Sequence, residues 1–393
     1  MKCERTKKLR IQLKKNLPPS TFETKPIYGY ACFVATTLAA GIIVGCHLTS
    51  PPWYVLLIAS VVVGQVMANA TFAGHEVLHG AIFKNKFLVD VLGFVGFAHH
   101  FMGVEGWRAW HVRAHHAHTN KVGLDPDVAG LAKDYPHSRL TKFMDTFTIG
   151  SGRWWSVFGL CAQFTVQGHL ALWCHGPKWI ENKSIRFDIN RARIETVCLV
   201  VFWGMCAWLL GWYHAVWLLL LPWMMCNFTL MAYICTQHFL RPLGDANDPL
   251  ANTLSVKTWK FLDIIHLHFS YHREHHLFPS MSHSMGPVVQ KEMERLGYVA
   301  PPLTHWQAFK LAIMTPRLYG DSHSLEMART GEKTNLVEMW QKIDQDEAGI
   351  VDAVPKQDFA ETETETETEA VFQPPKPHFP ISNPDKAKQR LSQ

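Results

Sequence analysis

The chain has 393 residues, is 48% hydrophobic and only 18% charged, and carries a net charge of +5. That modest charge gives no indication of a nucleic-acid partner. The apolar residues are blocked rather than spread: no Asp, Glu, Lys or Arg occurs from Pro26 to His75, nor from Thr196 to Leu240. Each block is over twice the roughly 20 residues that a membrane-spanning helix needs, which excludes an ordinary soluble globule and marks an integral membrane protein.

Residues 1–25 are basic and polar, with Pro18-Pro19 as a helix breaker. Seven Lys or Arg fall in the first fifteen residues against the single Glu4. The following apolar run is too long, and flows too directly into another, to be a cleavable signal peptide, so this segment reads as a cytosolic flank. A first span is expected near 27–46. His47 to Pro52 forms an uncharged turn, and a second span near 53–72 runs back. Residues 87–104 are apolar but short, and carry Asp90, His99 and His100. They are expected to dip into the interface, with His99 and His100 as interfacial polar residues. Trp107 and Trp110 read as interfacial packing.

Residues 121–193 mix Trp, Lys and Arg and read as cytosolic and interfacial helices. The second apolar block divides at Gly211 to Ala215, giving spans near 196–212 and 216–236. Neither hairpin turn carries Lys or Arg, so the positive-inside rule puts both termini and every histidine cluster on one face. Residues 287–315 look like amphipathic helix interrupted by Pro301-Pro302. A cytosolic extension (321–349) precedes an acidic, Pro-rich tail (350–393) with a Glu-Thr repeat, too polar to bury a core and expected to be disordered. The nine cysteines are scattered without a Cys-x-x-Cys pair and read as small buried residues. The expected architecture is all-α, with two membrane hairpins in a domain over 26–320 and a cytosolic helical cap holding a histidine-rich di-metal site.

Chemistry concentrates in three histidine clusters. His75 and His79 lie four residues apart. His111 and His115 would share one face of an α-helix, with His116 about 100° round. His272, His275 and His276 are spaced i, i+3, i+4 on one face. His238, just past the fourth span, is a ninth candidate. Four ligands satisfy one zinc, so eight or nine imidazoles fit two metals with four or five nitrogens each. Nitrogen ligation suits iron, zinc, copper or nickel and does not choose among them. Two irons side by side can bind and split O₂, as attack on an unactivated C–H bond requires. The nearby acids Glu76, Glu105, Asp125, Asp127, Asp263 and Glu274 are expected to orient histidines from behind. His118 is not expected to bind metal. His266 and His268 read as solvated or hydrogen-bonding residues, and the unclustered histidines, His283 among them, as structural or surface.

The words His75-Glu-Val-Leu-His79, His111-Val-Arg-Ala-His115-His116 and Tyr271-His272-Arg-Glu-His275-His276-Leu-Phe-Pro279 resemble the three histidine boxes of membrane fatty acid desaturases. Trp107-Arg, Thr119-Asn120, Asp125-Pro-Asp127 and Pro287-Val-Val are similar to that family too, and the likeness spans roughly 30–310. It implies four spans and a cytosolic cap with two iron ions held by His75, His79, His111, His115, His116, His272, His275 and His276, with His238 at the place of a further family ligand. No catalytic residue beyond the metal ligands is expected. It also implies O₂-dependent desaturation of a long-chain fatty acyl group in the bilayer. No His-Pro-Gly-Gly haem motif occurs, so electrons would come from an external ferredoxin or cytochrome b5-type donor. The membrane would be a bacterial plasma membrane or the endoplasmic reticulum. The rivals are a lipid hydroxylase or ketolase on the same scaffold, a zinc-dependent membrane hydrolase or receptor, and a metal sensor without turnover.

Overall fold

The computed structural model describes residues 4–244, 247–298 and 303–345. The expected disordered tail lies outside the described residues.

Helix α1 (Glu4–Asn16) was not apparent in the basic amino terminus. Its Thr6, Leu9 and Leu13 form a buried stripe, while the lysines stay in solvent. The stripe seats on Leu277, Met281, Val289 and Met293. Burying each leucine contributes about 1.5–3 kcal/mol, which is what holds so charged a helix down. Arg10 donates from Nη2 to the carbonyl of His276 at 3.1 Å, tying α1 over the third box.

Helix α2 (Pro26–Thr49) starts on a proline, whose fixed φ suits a first turn. It stops at Ser50, which is left-handed at φ 44° and followed by Pro51-Pro52. Helix α3 (Trp53–Leu78) runs back against it. The first half of α3 exposes Trp53, Tyr54, Leu57, Ile58 and Val61, whereas nearly everything from Ala68 onward is buried. One helix therefore begins with an apolar outer surface and ends inside the protein.

Helix α4 (Lys86–Phe97) and helix α5 (Val104–His118) meet at a bend of 86°. Phe101, left-handed at φ 55°, turns the corner. A bent pair of this kind is either one broken span or a re-entrant loop, so the expected dip is one of the two arrangements it allows. Gly74 and Gly96 let α3 and α4 touch backbone to backbone: a Cβ on Gly96 would stand 2.7 Å from the Gly74 Cα.

Short helices α6 (Arg139–Phe147) and α7 (Leu160–Leu170) follow. Helix α8 (Ile189–Ala215) begins seven residues before the expected span, because the Asp188 side chain accepts from the Arg191 N–H at 2.9 Å and caps it. Gly211, at φ 72° and ψ 157°, breaks this run where the sequence divides. Helix α9 (Leu221–His238) returns and packs on α3 and α7. Pro19–Thr49, Trp53–Leu78 and Ile189–His238 are the runs long and apolar enough to cross a membrane. Their outward residues, such as Leu38, Val200, Trp208 and Trp212, expose more apolar surface than water tolerates, which places the protein in or on a membrane.

The rest of the described chain includes helix α10 (His272–Leu277), α11 (Gly286–Arg295), α12 (His305–Met314) and α13 (Leu336–Gln345), with one departure from the all-α expectation. Strands β1 (Leu318–Tyr319), β2 (Ser324–Met327) and β3 (Glu332–Asn335) form an antiparallel meander, with Leu325 opposite Thr334. In β2, Leu325 and Met327 turn inward and alternate with more exposed neighbours, a period of two too brief to stand out in the sequence.

Candidate metal centre

The last turn of α3 carries His75, and His79 closes it one turn on. Their rings lie 4.7 Å apart, as the four-residue spacing requires. The second box departs from the α-helical expectation. Arg108–His115 winds as a π-helix, and the His116 N–H reaches the His111 carbonyl five residues back. His111 therefore pairs with His116, Nε2 to Nε2 at 3.0 Å, instead of with His115. The third box divides as well. His272 and His276, one turn apart on α10, meet at 3.2 Å, while His275 turns away to His116 at 3.0 Å.

The result is two sets of convergent donors. His75, His79, His111, His116 and His275 form one, and His115, His238, His272 and His276 the other; within each set all donor atoms lie within 4.8 Å of one another. Every histidine singled out in the sequence falls in one of them, including His238, which stands 2.7 Å from His272. The sets adjoin, with the His116 and His276 rings stacked at 4.2 Å.

The chemistry of these donors fits metal ions. One ring proton can serve only one of the successive Nε2–Nε2 contacts at 2.7–3.2 Å, whereas a cation accepts every lone pair of a set. His79 Nε2 and His115 Nε2 are buried with no hydrogen-bond partner, an arrangement that only a ligand would relieve. Burial, reinforced by neighbouring histidines, lowers the pKa of His272, His275 and His276 well below the ordinary value. They are thus held in the neutral form that binds metal.

His115 differs. Burial pulls its pKa down, but the carboxylates of Asp125 and Asp127 outweigh that and raise it to about 9. Its Nδ1 sits 3.0 Å from Asp125 Oδ1 and 3.1 Å from Asp127 Oδ2, which fixes the proton there and aims Nε2 into the second set. Asp127 in turn accepts from Trp110 Nε1 at 2.9 Å and Gln167 Nε2 at 2.8 Å. Asp125 and Asp127 are therefore the acids that stand behind a clustered histidine. Glu105 pairs with Arg113, Glu274 takes a hydrogen bond from Ser255, and Asp263 takes one from Ser270.

Several sequence expectations need correction. Trp107 and Trp110 are buried walls of the site; the Trp107 ring lies 4.7 Å from His111. His283 is buried at 1% exposure, with its ring 4.5 Å from His275 and its Nδ1 3.1 Å from Glu76 Oε1. No periodicity links it to the third box, since the chain turns at Pro279 between them. His99 and His100 are buried too, because the 86° bend turns them inward. Among the described residues the cysteines are buried, as expected, at Cys32, Cys226 and Cys235, whereas Cys174 and Cys198 are exposed; Cys3 lies outside the described residues. His118 stands outside both sets, and His266 is satisfied by the Tyr233 hydroxyl at 2.9 Å, both as expected.

A narrow cavity touches His75 and His111 of one set and His115, His238 and His272 of the other. Its remaining wall is mainly Phe72, Phe97, Trp110, Phe164, Leu230 and Ile234, the lining an apolar chain would need.

Comparison with known proteins agrees with this geometry. A profile described as fatty acid desaturase matches residues 51–307. The chloroplastic omega-6 fatty acid desaturase of Glycine max is 22% identical over 79% of this chain and 73% of its own length. The sn-1 oleoyl-lipid 12-desaturase of Picosynechococcus sp. is 20% identical over 78% of this chain and 89% of its own. The enzyme of that name from Synechocystis sp. is 32% identical over a shorter stretch, 28% of this chain and 31% of its own.

Proposed function

The chain belongs to the fatty acid desaturase family, and from that we propose that it is a di-iron membrane enzyme inserting a double bond into a fatty acyl chain. Fatty acid desaturation and oxidoreductase chemistry come with the family. The observation that carries the finer reading is the division of nine histidines into sets of five and four beside one apolar cavity. A single-zinc hydrolase has no use for two such sets.

His75, His79, His111, His116 and His275 would hold one iron, and His115, His238, His272 and His276 the other. When bound, the pair supplies the O₂ chemistry that removes two hydrogens from adjacent methylenes. The protein's part is positional. Asp125 and Asp127 hold the Nδ1 proton of His115, so that Nε2 is the nitrogen turned to the metal, which would displace the proton that the raised pKa leaves there. The aromatic wall holds the chain straight against both sets and excludes water, which protects the reacting carbons from side reactions. The relatives' names point to the substrate, an oleoyl chain of a membrane lipid desaturated at position 12. Electrons would come from a separate ferredoxin or cytochrome b5-type protein.

The topology follows from the same elements. Helices α2 and α3 form one hairpin, and α8 and α9 the other, giving four spans. The basic segments 1–25 and 133–193 support, by the positive-inside rule, a cytosolic side for the histidines. The test is gas chromatography and mass spectrometry of total lipid from a host that makes oleate, expressing the chain with a compatible donor. A new diene with its second double bond at position 12 is expected. An oxygenated product without an alkene would overturn desaturation in favour of hydroxylation or ketone formation.

A further inference from the structure

A third cluster of buried polar groups, His99, His100 and Cys226, has no part in the desaturase chemistry. His99 and His100, at the inward bend after α4, meet Cys226 of α9 and Thr71 of α3. Cys226 Sγ lies 3.5 Å from His99 Nε2 and 3.6 Å from His100 Nε2. Thr71 Oγ1 lies 2.9 Å and 3.2 Å from the same two nitrogens. All three candidate ligands are buried, and their donor atoms lie within 4.8 Å of one another. Its three candidate ligands lie outside the three boxes, and Thr71 sits one turn before His75 on α3. None of its residues is a box histidine.

The protons in this network can be placed. The Asn227 Oδ1 accepts from both the Thr165 backbone N–H and the Thr165 hydroxyl, each at 3.0 Å. The hydroxyl proton is therefore spent on Asn227. His100 Nδ1, 2.8 Å from that hydroxyl oxygen, must then be the donor. A neutral His100 consequently carries its proton on Nδ1 and turns a bare Nε2 toward Cys226. This is how metal-binding histidines are oriented, the far ring nitrogen donating to a fixed acceptor so that the near one presents a lone pair. The Thr71 hydroxyl also reaches the carbonyls of Met67 at 3.1 Å and Gly96 at 3.2 Å, so its proton has a home away from the histidines. A thiol proton can serve only one of two nitrogens. A metal serves both. With metal–nitrogen bonds of about 2.0–2.1 Å and a metal–sulfur bond of about 2.3 Å, ligands opened to 110–120° put N and S about 3.5–3.8 Å apart. The two sulfur–nitrogen distances match this.

We infer that His99, His100 and Cys226 form a monovalent copper site, with Thr71 beside the open position. The ligand set selects the metal by softness and by charge. A thiolate with two imidazoles favours Cu⁺ among the available ions. Binding displaces the Cys226 proton to solvent, so the thiolate cancels the single charge of Cu⁺ and leaves the buried site neutral. Zinc would leave a net positive charge among apolar helices, which burial penalises.

The test uses the full-length, iron-loaded protein in detergent, titrated anaerobically with Cu⁺ against a chromophoric Cu⁺ chelator, and examined by X-ray absorption at the copper edge. One Cu⁺ per chain is expected to withstand the chelator, with one sulfur and two nitrogens as neighbours. Cys226→Ser is expected to abolish that uptake with iron content unchanged. Thr165→Val, which removes the acceptor fixing His100, should weaken it about 10–100-fold. His275→Ala should lose iron and keep the copper, so failure of the desaturase assignment and failure of this one are told apart. The absorption spectrum of the wild type reads the site without relying on any variant folding. No copper retained by the wild type, copper without a sulfur neighbour, copper retained by Cys226→Ser, or zinc bound there in its place would each overturn the assignment.

Discussion

The substitution Asp125→Asn tests whether the histidines form two sets, because it strikes one of them from behind. Asp125 accepts three hydrogen bonds: from His115 Nδ1 at 3.0 Å, from the Asn120 N–H at 2.7 Å and from the Asp127 N–H at 3.0 Å. Asparagine keeps the shape but offers a single oxygen, and its amide must face a donor. If the amide replaces Oδ2, the Asn120 N–H is buried unpaired, at a cost of about 1–3 kcal/mol. If it replaces Oδ1, His115 loses its nearer anchor. Either way the carboxylate charge behind His115 falls by one. Loss of such a partner lowers metal affinity about 10–100-fold, equivalent to about 1.4–2.7 kcal/mol. His115 belongs to the set with His238, His272 and His276, so the loss falls on one metal. Metal analysis of the purified variant should give about half the wild-type iron per chain. Thermal melting after complete chelation should still show the variant below the wild type, by the folding share of the penalty alone. Full iron content together with identical melting of the chelated proteins would refute the role of Asp125. Equal depletion of both metals would refute the division into two sets.

Four further outcomes follow from the same geometry. His238→Ala should lose one metal and all desaturation, while His118→Ala keeps both, read by iron analysis and product formation. His283→Ala leaves the Glu76 side chain buried at 1% exposure without its hydrogen-bond partner, a loss of about 1–3 kcal/mol; adding Glu76→Gln should restore part of the melting temperature, and a double variant no better than the single one counts against that hydrogen bond. Leu230→Trp fills the cavity between the two sets and should abolish turnover while iron stays bound, with about 1–3 kcal/mol of overpacking strain in denaturation; unimpaired turnover would show that the acyl chain lies elsewhere. Chelating both metals should lower the melting temperature, because the ions bind only the folded chain, and re-addition of Fe²⁺ should restore it; a melt indifferent to chelation would mean the histidines hold no metal.

What could be read from the sequence was what depends on composition and on short regular spacing. Charge-free blocks gave the apolar hairpins, and Gly211 gave the break between α8 and α9. The spacing of His75 and His79, and of His272 and His276, survives folding because these pairs lie on ordinary α-helical turns. His238 was visible only by its place after an apolar run, and folding supplied the second observation by setting it against His272. The residues that escaped are those whose partners are remote in the chain. His283 meets Glu76 across 207 positions. Cys226 meets His99 across 127. The Leu9 and Leu13 stripe was masked by the lysines around it, since a charged composition hides a narrow buried face.

The second box shows most directly how local winding decides chemistry. On an α-helix His111 and His115 would point together and His116 would stand about 100° away. The π-turn adds one residue to the backbone ring, so His111 and His116 come together, and His115, its ring stacked on His111 at 5.1 Å, gives its donor atom to the other set. Asp125 and Asp127 stand behind it to hold it. Boxes two and three therefore each contribute to both donor sets, whereas the first box feeds only one and His238 only the other. The two helices that serve both sets are each tied down by a hydrogen bond, α5 by Trp110 on Asp127 and α10 by Arg10 on the His276 carbonyl. A π-turn is costly relative to continuous α-helix, and it is retained where a residue must be re-aimed. Here it lets one short sequence word furnish donors to both histidine sets.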